Sequence, residues 1–72
     1  EGGILTWEST LLTDLYELQV ARDPSFKNPE IQTTRVNFAN VRPSAKGTYY
    51  WRVRSIVAGR RSPWSEAWPF RK

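Results

Sequence analysis

The sequence predicts an all-β fold, a two-sheet antiparallel sandwich of six strands in a single domain over residues 1–72. Three observations predict it. Apolar and polar residues alternate with period two over most of the chain, as they do in half-buried strands. Glycine and proline interrupt this alternation at short intervals, as they do between the strands of all-β domains. Each predicted strand has one apolar face, which needs a second sheet to bury it.

The alternation and the turn residues between segments define the predicted strands and the predicted core. The strands cover residues 4–8, 15–21, 31–34, 35–41, 48–56 and 64–70. Their inward-facing side chains are Trp7, Tyr16, Leu18, Val20, Val36, Phe38, Tyr49, Trp51 and Val53. Burial of each large apolar side chain contributes roughly 1.5–3 kcal/mol. Loss of one core tryptophan is therefore expected to remove much of the stability of so small a domain.

The first two strands are joined by a predicted loop at residues 9–14. Leu5 and Trp7 share one face of the first strand. A helical pattern competes over residues 10–19, where the leucines at helical spacing are Leu11, Leu12, Leu15 and Leu18. We favour a strand at 15–21, because its alternation continues the pattern of the rest of the chain.

A turn is predicted at residues 22–25. Asp23 favours it because an aspartate side chain bonds the backbone two residues on. Pro24 favours it because proline has no N–H for continued strand pairing. Phe26 is expected to pack back beneath this turn. The later breaks are a loop at 42–47, a hairpin closed by 59–62 and a kink at Pro69.

Residues 48–56 give the clearest strand. Its inner face carries Tyr49, Trp51 and Val53, and its outer face carries Tyr50, Arg52 and Arg54. A shift of one residue would exchange the two faces and bury both arginines. The alternation therefore predicts the register of this strand.

The composition excludes several classes of site. The chain has no cysteine and no histidine, so it lacks the ligands of Cys/His zinc sites and the residues of thiol and histidine catalysis. Its carboxylates are scattered without paired spacing, and no glycine-rich phosphate loop is present. No run of about 18 apolar residues predicts a transmembrane helix. We expect no enzymatic activity, no metal, no cofactor and no membrane insertion.

Charge divides the chain into two halves. Residues 1–34 carry a net charge of −4 and residues 35–72 a net charge of +8, which gives +4 in total. Such asymmetry indicates either a surface for an acidic polymer or strands of opposite charge that lie side by side. We favour the second interpretation, because seven of the nine bases in the second half are arginines, which stack on aromatic rings.

Three stretches, taken in order, carry a family resemblance. They are Leu5-Thr6-Trp7, Tyr16-Glu17-Leu18-Gln19-Val20-Ala21, and the stretch from Val41 to Ser55 in which Gly47-Thr48-Tyr49 leads into Trp51-Arg52-Val53-Arg54. They resemble the second strand, the third strand and the tyrosine-corner region of a fibronectin type III domain. The sequence is most similar to modules of bacterial envelope and secreted proteins. The resemblance implies that the hydroxyl of Tyr49 bonds backbone upstream.

The family's first strand, with its proline-rich start, has no counterpart before Gly2. We expect that strand to be missing or very short, which leaves a sheet edge that starts at Ile4 and ends at Glu8. An apolar edge without charges or prolines invites pairing with another chain. We therefore expect β-augmentation or self-association at this edge, unless the strand simply lies outside these residues.

A narrower resemblance lies near the end of the chain. Trp64-Ser65-Glu66-Ala67-Trp68 resembles the Trp-Ser-x-Trp-Ser element of cytokine-receptor domains, with Pro69 in place of the last serine. In that element tryptophans interleave with arginines of the preceding strand. The resemblance implies that Arg52 or Arg54 stacks on Trp64 or Trp68. Such a stack either stabilises a sandwich without disulfides or presents a stripe for a ligand.

Two functions follow from these patterns. The first is a non-catalytic structural or protein-interaction module of a larger extracytoplasmic protein, in the cell envelope or secreted, that contacts neighbouring domains or another protein. The alternative is a binder of an anionic polymer, either a glycan, a cell-wall polymer or nucleic acid. Nucleic acid is the least favoured ligand, since fibronectin-like sandwiches seldom bind it. The candidate binding residues are Tyr50, Arg52, Arg54, Arg60, Arg61, Trp64 and Trp68.

Overall fold

A computed structural model describes residues 3–9, 13–43 and 45–72 of the chain. These residues form seven strands: β1 (Gly3–Thr6), β2 (Leu15–Ala21), β3 (Glu30–Thr34), β4 (Phe38–Val41), β5 (Thr48–Val57), β6 (Arg60–Arg61) and β7 (Trp68–Arg71). None of the described residues lies in a helix, and so the described part of the chain has no helix that could cross a membrane. The all-β prediction is confirmed.

The strands form two antiparallel sheets that pack against each other. β1 pairs with β4 in one sheet. The other sheet has the order β3–β2–β5, and the far edge of β5 pairs with β7 at one end and with β6 at the other. The buried cluster between the sheets contains Tyr16, Leu18, Val20, Ala39, Val41, Tyr49, Trp51 and Val53. This arrangement confirms the sandwich and fits immunoglobulin-like folds as a group.

Six of the nine predicted core residues are buried, and Trp7 packs against the core while half-exposed. The two exceptions lie together: Val36 is 46% exposed and Phe38 is 50% exposed. The predicted strand at 35–41 is therefore wrong in its start and in its register. The chain bends over residues 35–37, and the strand that follows buries Ala39 and Val41 instead.

Pairing with β1 explains this register. Leu5 packs against the core, and its partner on β4 is Ala39. Residues directly opposite in an antiparallel pair point to the same side of the sheet. Ala39 therefore faces the core, and Phe38, which lies opposite Thr6, faces outward. Local alternation favours the larger Phe38, but the partner strand sets the register.

The end of the chain also differs from the prediction. The last strand begins at Trp68 rather than at residue 64, and residues 62–67 are irregular. A short extra strand, β6, forms because residues 58 and 59 make a two-residue turn with positive φ angles of 50° and 79°. Such a turn matches the twist of the flanking strands. The predicted hairpin is present, with its turn one residue earlier.

The turn at residues 22–25 is confirmed. The N–H of Phe26 donates to the carbonyl of Asp23 at 3.1 Å, and Phe26 is buried beneath the turn with a φ of 56°. The backbone N–H of Ser25 donates to the Asp23 carboxylate at 3.3 Å, and the Ser25 hydroxyl donates to the same oxygen. This hydroxyl bond lowers the pKa of the Asp23 carboxyl group.

Parts of two predicted loops lie outside the described residues. Residues 10–12 belong to the predicted loop at 9–14 and to the competing helical pattern at 10–19, and Ser44 belongs to the loop at 42–47. Within the described part, residues 15–21 form a strand. The strand interpretation of that segment is confirmed.

Candidate functional site

The candidate site occupies the outer face of the larger sheet. On β5, Arg52 and Arg54 point outward, while Trp51 and Val53 beside them are buried. Arg52 lies opposite Gln19 of β2, and Arg54 lies opposite Glu17. The predicted register of β5 is confirmed, and it places each arginine beside a polar side chain of the acidic half of the chain.

Aromatic rings and guanidinium groups alternate along this face. The guanidinium carbon of Arg52 lies 4.2 Å from the ring centre of Phe26 and 4.6 Å from that of Trp64. The guanidinium carbon of Arg54 lies 4.1 Å from the ring centre of Trp64. All three distances are within the range of cation–π attraction. We call Phe26, Arg52, Trp64 and Arg54 the ladder, and its formation confirms the predicted stacking on Trp64.

Polar side chains of β2 hold the edges of both guanidinium groups. Nε of Arg52 donates to Oε1 of Gln19 at 2.8 Å. Nε of Arg54 donates to Oε1 of Glu17 at 2.6 Å, and its Nη2 lies 2.6 Å from the same oxygen. Nε of Arg61 lies 3.7 Å from that oxygen as well. Strands of opposite charge thus lie side by side here, as the favoured interpretation of the charge asymmetry predicts.

Two serines fix the segment that carries Trp64. The N–H of Val53 donates to the hydroxyl of Ser65 at 3.0 Å, and the N–H of Ser65 donates to the carbonyl of Val53 at 2.9 Å. Ser62 makes the same two bonds with Ser55, at 3.0 and 2.9 Å. Each serine therefore replaces a strand partner at the edge of β5, and Trp64 lies between the two anchors.

Sequence reasoning did not identify this serine pairing. Its signal was the spacing of Ser62 and Ser65, which lie three residues apart in a segment where Pro63 prevents regular strand pairing. Side-chain hydroxyls satisfy strand backbone groups without a second strand. The segment therefore covers the edge of β5 and still holds its tryptophan over the sheet.

Trp68 does not join the ladder. It lies opposite Trp51 in the pairing of β7 with β5, and the two ring centres are 4.7 Å apart. Its indole Nε1 donates to Oε2 of Glu66 at 2.9 Å. Two residues separate Ser65 from Trp68, one more than in the Trp-Ser-x-Trp spacing, and Trp68 packs on the core side. Of the two tryptophans predicted as possible stacking partners, Trp64 contacts the arginines and Trp68 packs on Trp51 instead.

The other candidate residues surround the ladder without entering it. Tyr50 is half-buried on β5, opposite Ala21 of β2 and Pro69 of β7. Arg60 and Arg61 are exposed in β6. The structure thus brings Arg52, Arg54 and Trp64 into one stack. Beside that stack, Arg60 is exposed and Arg61, also exposed, forms an ion pair with Glu17.

Tyr49 makes the upstream bond that the family resemblance implies. Its hydroxyl donates to the carbonyl of Ala45 at 2.6 Å. The guanidinium carbon of Arg22 lies 4.9 Å from the centre of the Tyr49 ring. This bond ties the loop before β5 to the core, because the Tyr49 ring itself is buried.

Comparison with known proteins finds no match: no family model, no curated protein and no solved structure matches the chain. Among the described residues, no group of three His, Cys, Asp or Glu side chains is placed to hold a metal ion.

Proposed function

We propose that the chain is a fibronectin type III-like, non-catalytic module that contacts neighbouring domains or another protein, within a larger extracytoplasmic protein. The strand order supports the family assignment. β1 and β4 take the positions of strands B and E of such sandwiches, while β2, β5 and β7 take those of C, F and G. The hydroxyl bond of Tyr49 corresponds to the tyrosine corner.

One observation favours a module over a polyanion binder: the ladder arginines already have partners within the domain. Arg54 has Glu17 along its edge and Trp64 on its face. Arg52 has Gln19 along its edge and lies between two rings. A phosphate or sulfate would have to compete with these interactions, in particular with the Glu17 carboxylate.

The ladder instead stabilises the domain, which has no cysteine and therefore no disulfide. Each cation–π contact contributes about 0.5–1 kcal/mol when exposed and about 2 kcal/mol when desolvated. The Arg54–Glu17 pair is also largely shielded, with 23% and 14% of the two side chains exposed. We therefore assign the ladder a structural role and assign partner binding to other surfaces.

Salt dependence of binding separates the module from the alternative. We would measure binding of the chain to heparin and to a single-stranded oligonucleotide at low and high salt. We would compare an Arg52→Gln/Arg54→Gln variant with an Arg60→Gln/Arg61→Gln variant. If the chain is an interaction module, we expect weak polyanion binding. The ladder substitutions should leave the affinity unchanged after correction for the fraction of unfolded protein. Binding to a displayed peptide library is expected to be insensitive to salt.

The opposite pattern would overturn the module. It consists of tight polyanion binding whose salt dependence is shallower in the Arg52→Gln/Arg54→Gln variant. For each phosphate or sulfate group that the variant no longer contacts, the fall in log affinity per tenfold increase in salt should be smaller by about 0.7–0.9. Failure to obtain any peptide or protein ligand that binds independently of salt would also count against it.

A further inference from the structure

A third stacked arginine lies outside the ladder, directly after β2. The guanidinium carbon of Arg22 lies 4.9 Å from the ring centre of Tyr49, and that ring is buried. The same group faces Gly47, where a Cβ would lie 3.1 Å from Nη2 of Arg22. The buried ring and the missing side chain of Gly47 together determine where the guanidinium lies. Arg22 as a whole is exposed, so a ligand can reach its donors.

The donors of Arg22 are free, unlike those of the ladder arginines. The two ladder arginines each donate through Nε to a side chain of β2. No described residue accepts a hydrogen bond from the guanidinium of Arg22 or forms an ion pair with it. A guanidinium group has five N–H donors in one plane and binds carboxylates in a two-pronged geometry. Stacking that holds this group in advance lowers the ordering cost of such binding.

A hollow of about 240 Å³ opens beside Arg22, which is one of its lining residues. We call it the Arg22 hollow. Its lining residues come from positions 20–30 and 43–49, so two internal segments of the chain form it. Val20, Pro43 and Ala45 supply apolar wall, together with Tyr49. Ligand sites combine such a wall with a few polar groups that fix the orientation of the ligand, and the Arg22 hollow has that composition.

The charges around the Arg22 hollow favour a singly charged anion. Besides Arg22, Lys72 lies at the wall, since its Nζ donates to the carbonyl of Pro43, and Lys46 is exposed in the loop before β5. These cations attract an anion. Glu30 also lines the hollow and has no ion pair with Arg22. Its carboxylate repels a second negative charge, so a carboxylate suits the hollow better than a phosphate monoester, which carries about −1.5 to −2 at pH 7.

We propose that the Arg22 hollow binds a glutamate or aspartate side chain of a partner protein. The carboxylate accepts two parallel hydrogen bonds from the free edge of the Arg22 guanidinium, and the methylene groups of the same side chain contact the apolar wall. A single carboxylate has no layer of condensed counterions to release, so its binding depends on salt far less than binding of a polyanion does. This inference rests on the proposed interaction module and names the side chain by which the module recognises its partner.

Nuclear magnetic resonance can test the site on the ¹⁵N-labelled chain. The probes are the capped tripeptides acetyl-Gly-Glu-Gly-amide and acetyl-Gly-Gln-Gly-amide, which have the same shape and differ in one charge. We expect the glutamate peptide to shift the Nε–Hε resonance of Arg22 with a Kd of roughly 1–10 mM, as for one charge-assisted contact. The glutamine peptide should leave it unchanged. The Nε–Hε resonances of Arg52 and Arg54 are internal references, because their donors already have acceptors.

Matched substitutions separate the guanidinium from the overall charge. Arg22→Gln should weaken binding of the glutamate peptide at least about tenfold. Arg22→Lys should restore only part of the affinity, because an ammonium group cannot form the two parallel bonds. Glu30→Gln removes the repelling carboxylate and should tighten binding about 2- to 5-fold. Arg35→Gln is the control: Arg35 is also exposed but follows the far end of β3, and we expect its loss to change the affinity less than about 1.5-fold.

Peptides selected from a random displayed library test whether a partner protein uses the hollow. We expect the selected peptides to share an acidic residue and to shift the Nε–Hε resonance of Arg22. Replacement of that residue by glutamine should weaken binding to the parent chain at least about tenfold and leave binding to the Arg22→Gln variant unchanged within about twofold.

Two kinds of result overturn the inference in different ways. If the selected peptides bind without shifting Arg22, or if the glutamine tripeptide shifts it as much as the glutamate tripeptide does, the hollow is not a carboxylate site and the module remains. The same holds if Arg22→Gln binds the glutamate peptide as the parent does. If heparin binds at Arg22 far more tightly than any peptide, with a steep dependence on salt, the anionic-polymer alternative replaces the module and the proposed function fails as well.

Discussion

Replacing Trp64 by leucine would test whether the ladder stabilises the sandwich. The ring of Trp64 lies over the guanidinium groups of Arg52 and Arg54, with separations of 4.6 and 4.1 Å. Leucine keeps an apolar side chain and removes the π face. Both arginines are half-buried, so removal of the two stacks amounts to about 1–3 kcal/mol. A chain of this length has an unfolding free energy of roughly 4–11 kcal/mol, and we expect the Tm to fall by about 4–8 °C per kcal/mol.

A double-mutant cycle isolates the stacking from other effects of the substitution. Urea unfolding followed by circular dichroism would be measured for Trp64→Leu, for Arg54→Met and for both together. We expect a coupling free energy of about 0.5–1 kcal/mol between the two sites. Trp68→Leu with Arg54→Met is the matched control cycle, because Trp68 packs on Trp51 and is not part of the ladder.

Equal coupling in the two cycles would refute the stacking argument. So would a Trp64→Leu variant whose unfolding free energy lies within about 0.3 kcal/mol of the parent, which is near the limit of additivity for independent sites. A changed m-value would show that the denatured state had also altered.

Three further substitutions test local features. Tyr49→Phe removes the hydroxyl bond to Ala45, and we expect urea unfolding to show a loss of about 0.5–1.5 kcal/mol. Gly47→Ala should lower the unfolding free energy by about 1–3 kcal/mol in the same measurement. Gly47 has a φ of +134°, and a Cβ at this position would lie 3.1 Å from Nη2 of Arg22. Asp23→Asn tests the turn through the pH dependence of stability. The hydrogen bond from Ser25 lowers the pKa of Asp23 in the folded protein. Its contribution to the unfolding free energy is therefore present above the ordinary pKa of 3.8 and is lost as the pH falls through the folded pKa. The gap in unfolding free energy between parent and Asp23→Asn should therefore narrow on acidification, and a constant gap would contradict the assignment.

Local alternation was sufficient for the long strands and insufficient for the short ones. β2 and β5 repeat the pattern over enough residues that a shifted register would bury charge, as at Arg52 and Arg54. The segment before β4 offers Val36 and Phe38 as plausible core residues, and nothing local contradicts them. The deciding neighbour is Leu5, more than thirty positions earlier, which lies opposite Ala39.

The candidate site was likewise predictable only in part. Stacking of arginines on Trp64 was predictable, because the element that carries it resembles one with a known arrangement. The inner position of Trp68 was not, since it depends on the irregular path of residues 62–67 and on the pairing of β7 with β5. The buried indole N–H of Trp7, which has no acceptor among the described residues, was also not predictable, because it depends on which neighbouring groups the fold places within reach.

The polar groups of the ladder already have partners within the domain, and this decides what binding of a ligand there would cost. On the larger sheet, a ligand for Arg54 must displace Glu17 or separate the stack with Trp64, and each displacement sacrifices interactions that stabilise the domain. A ligand for Arg52 meets the same cost, because Nε of Arg52 donates to Gln19 and its guanidinium group lies between the rings of Phe26 and Trp64. Binding at the ladder therefore exchanges interactions of the domain for interactions with the ligand, and we expect a partner to bind elsewhere on the domain.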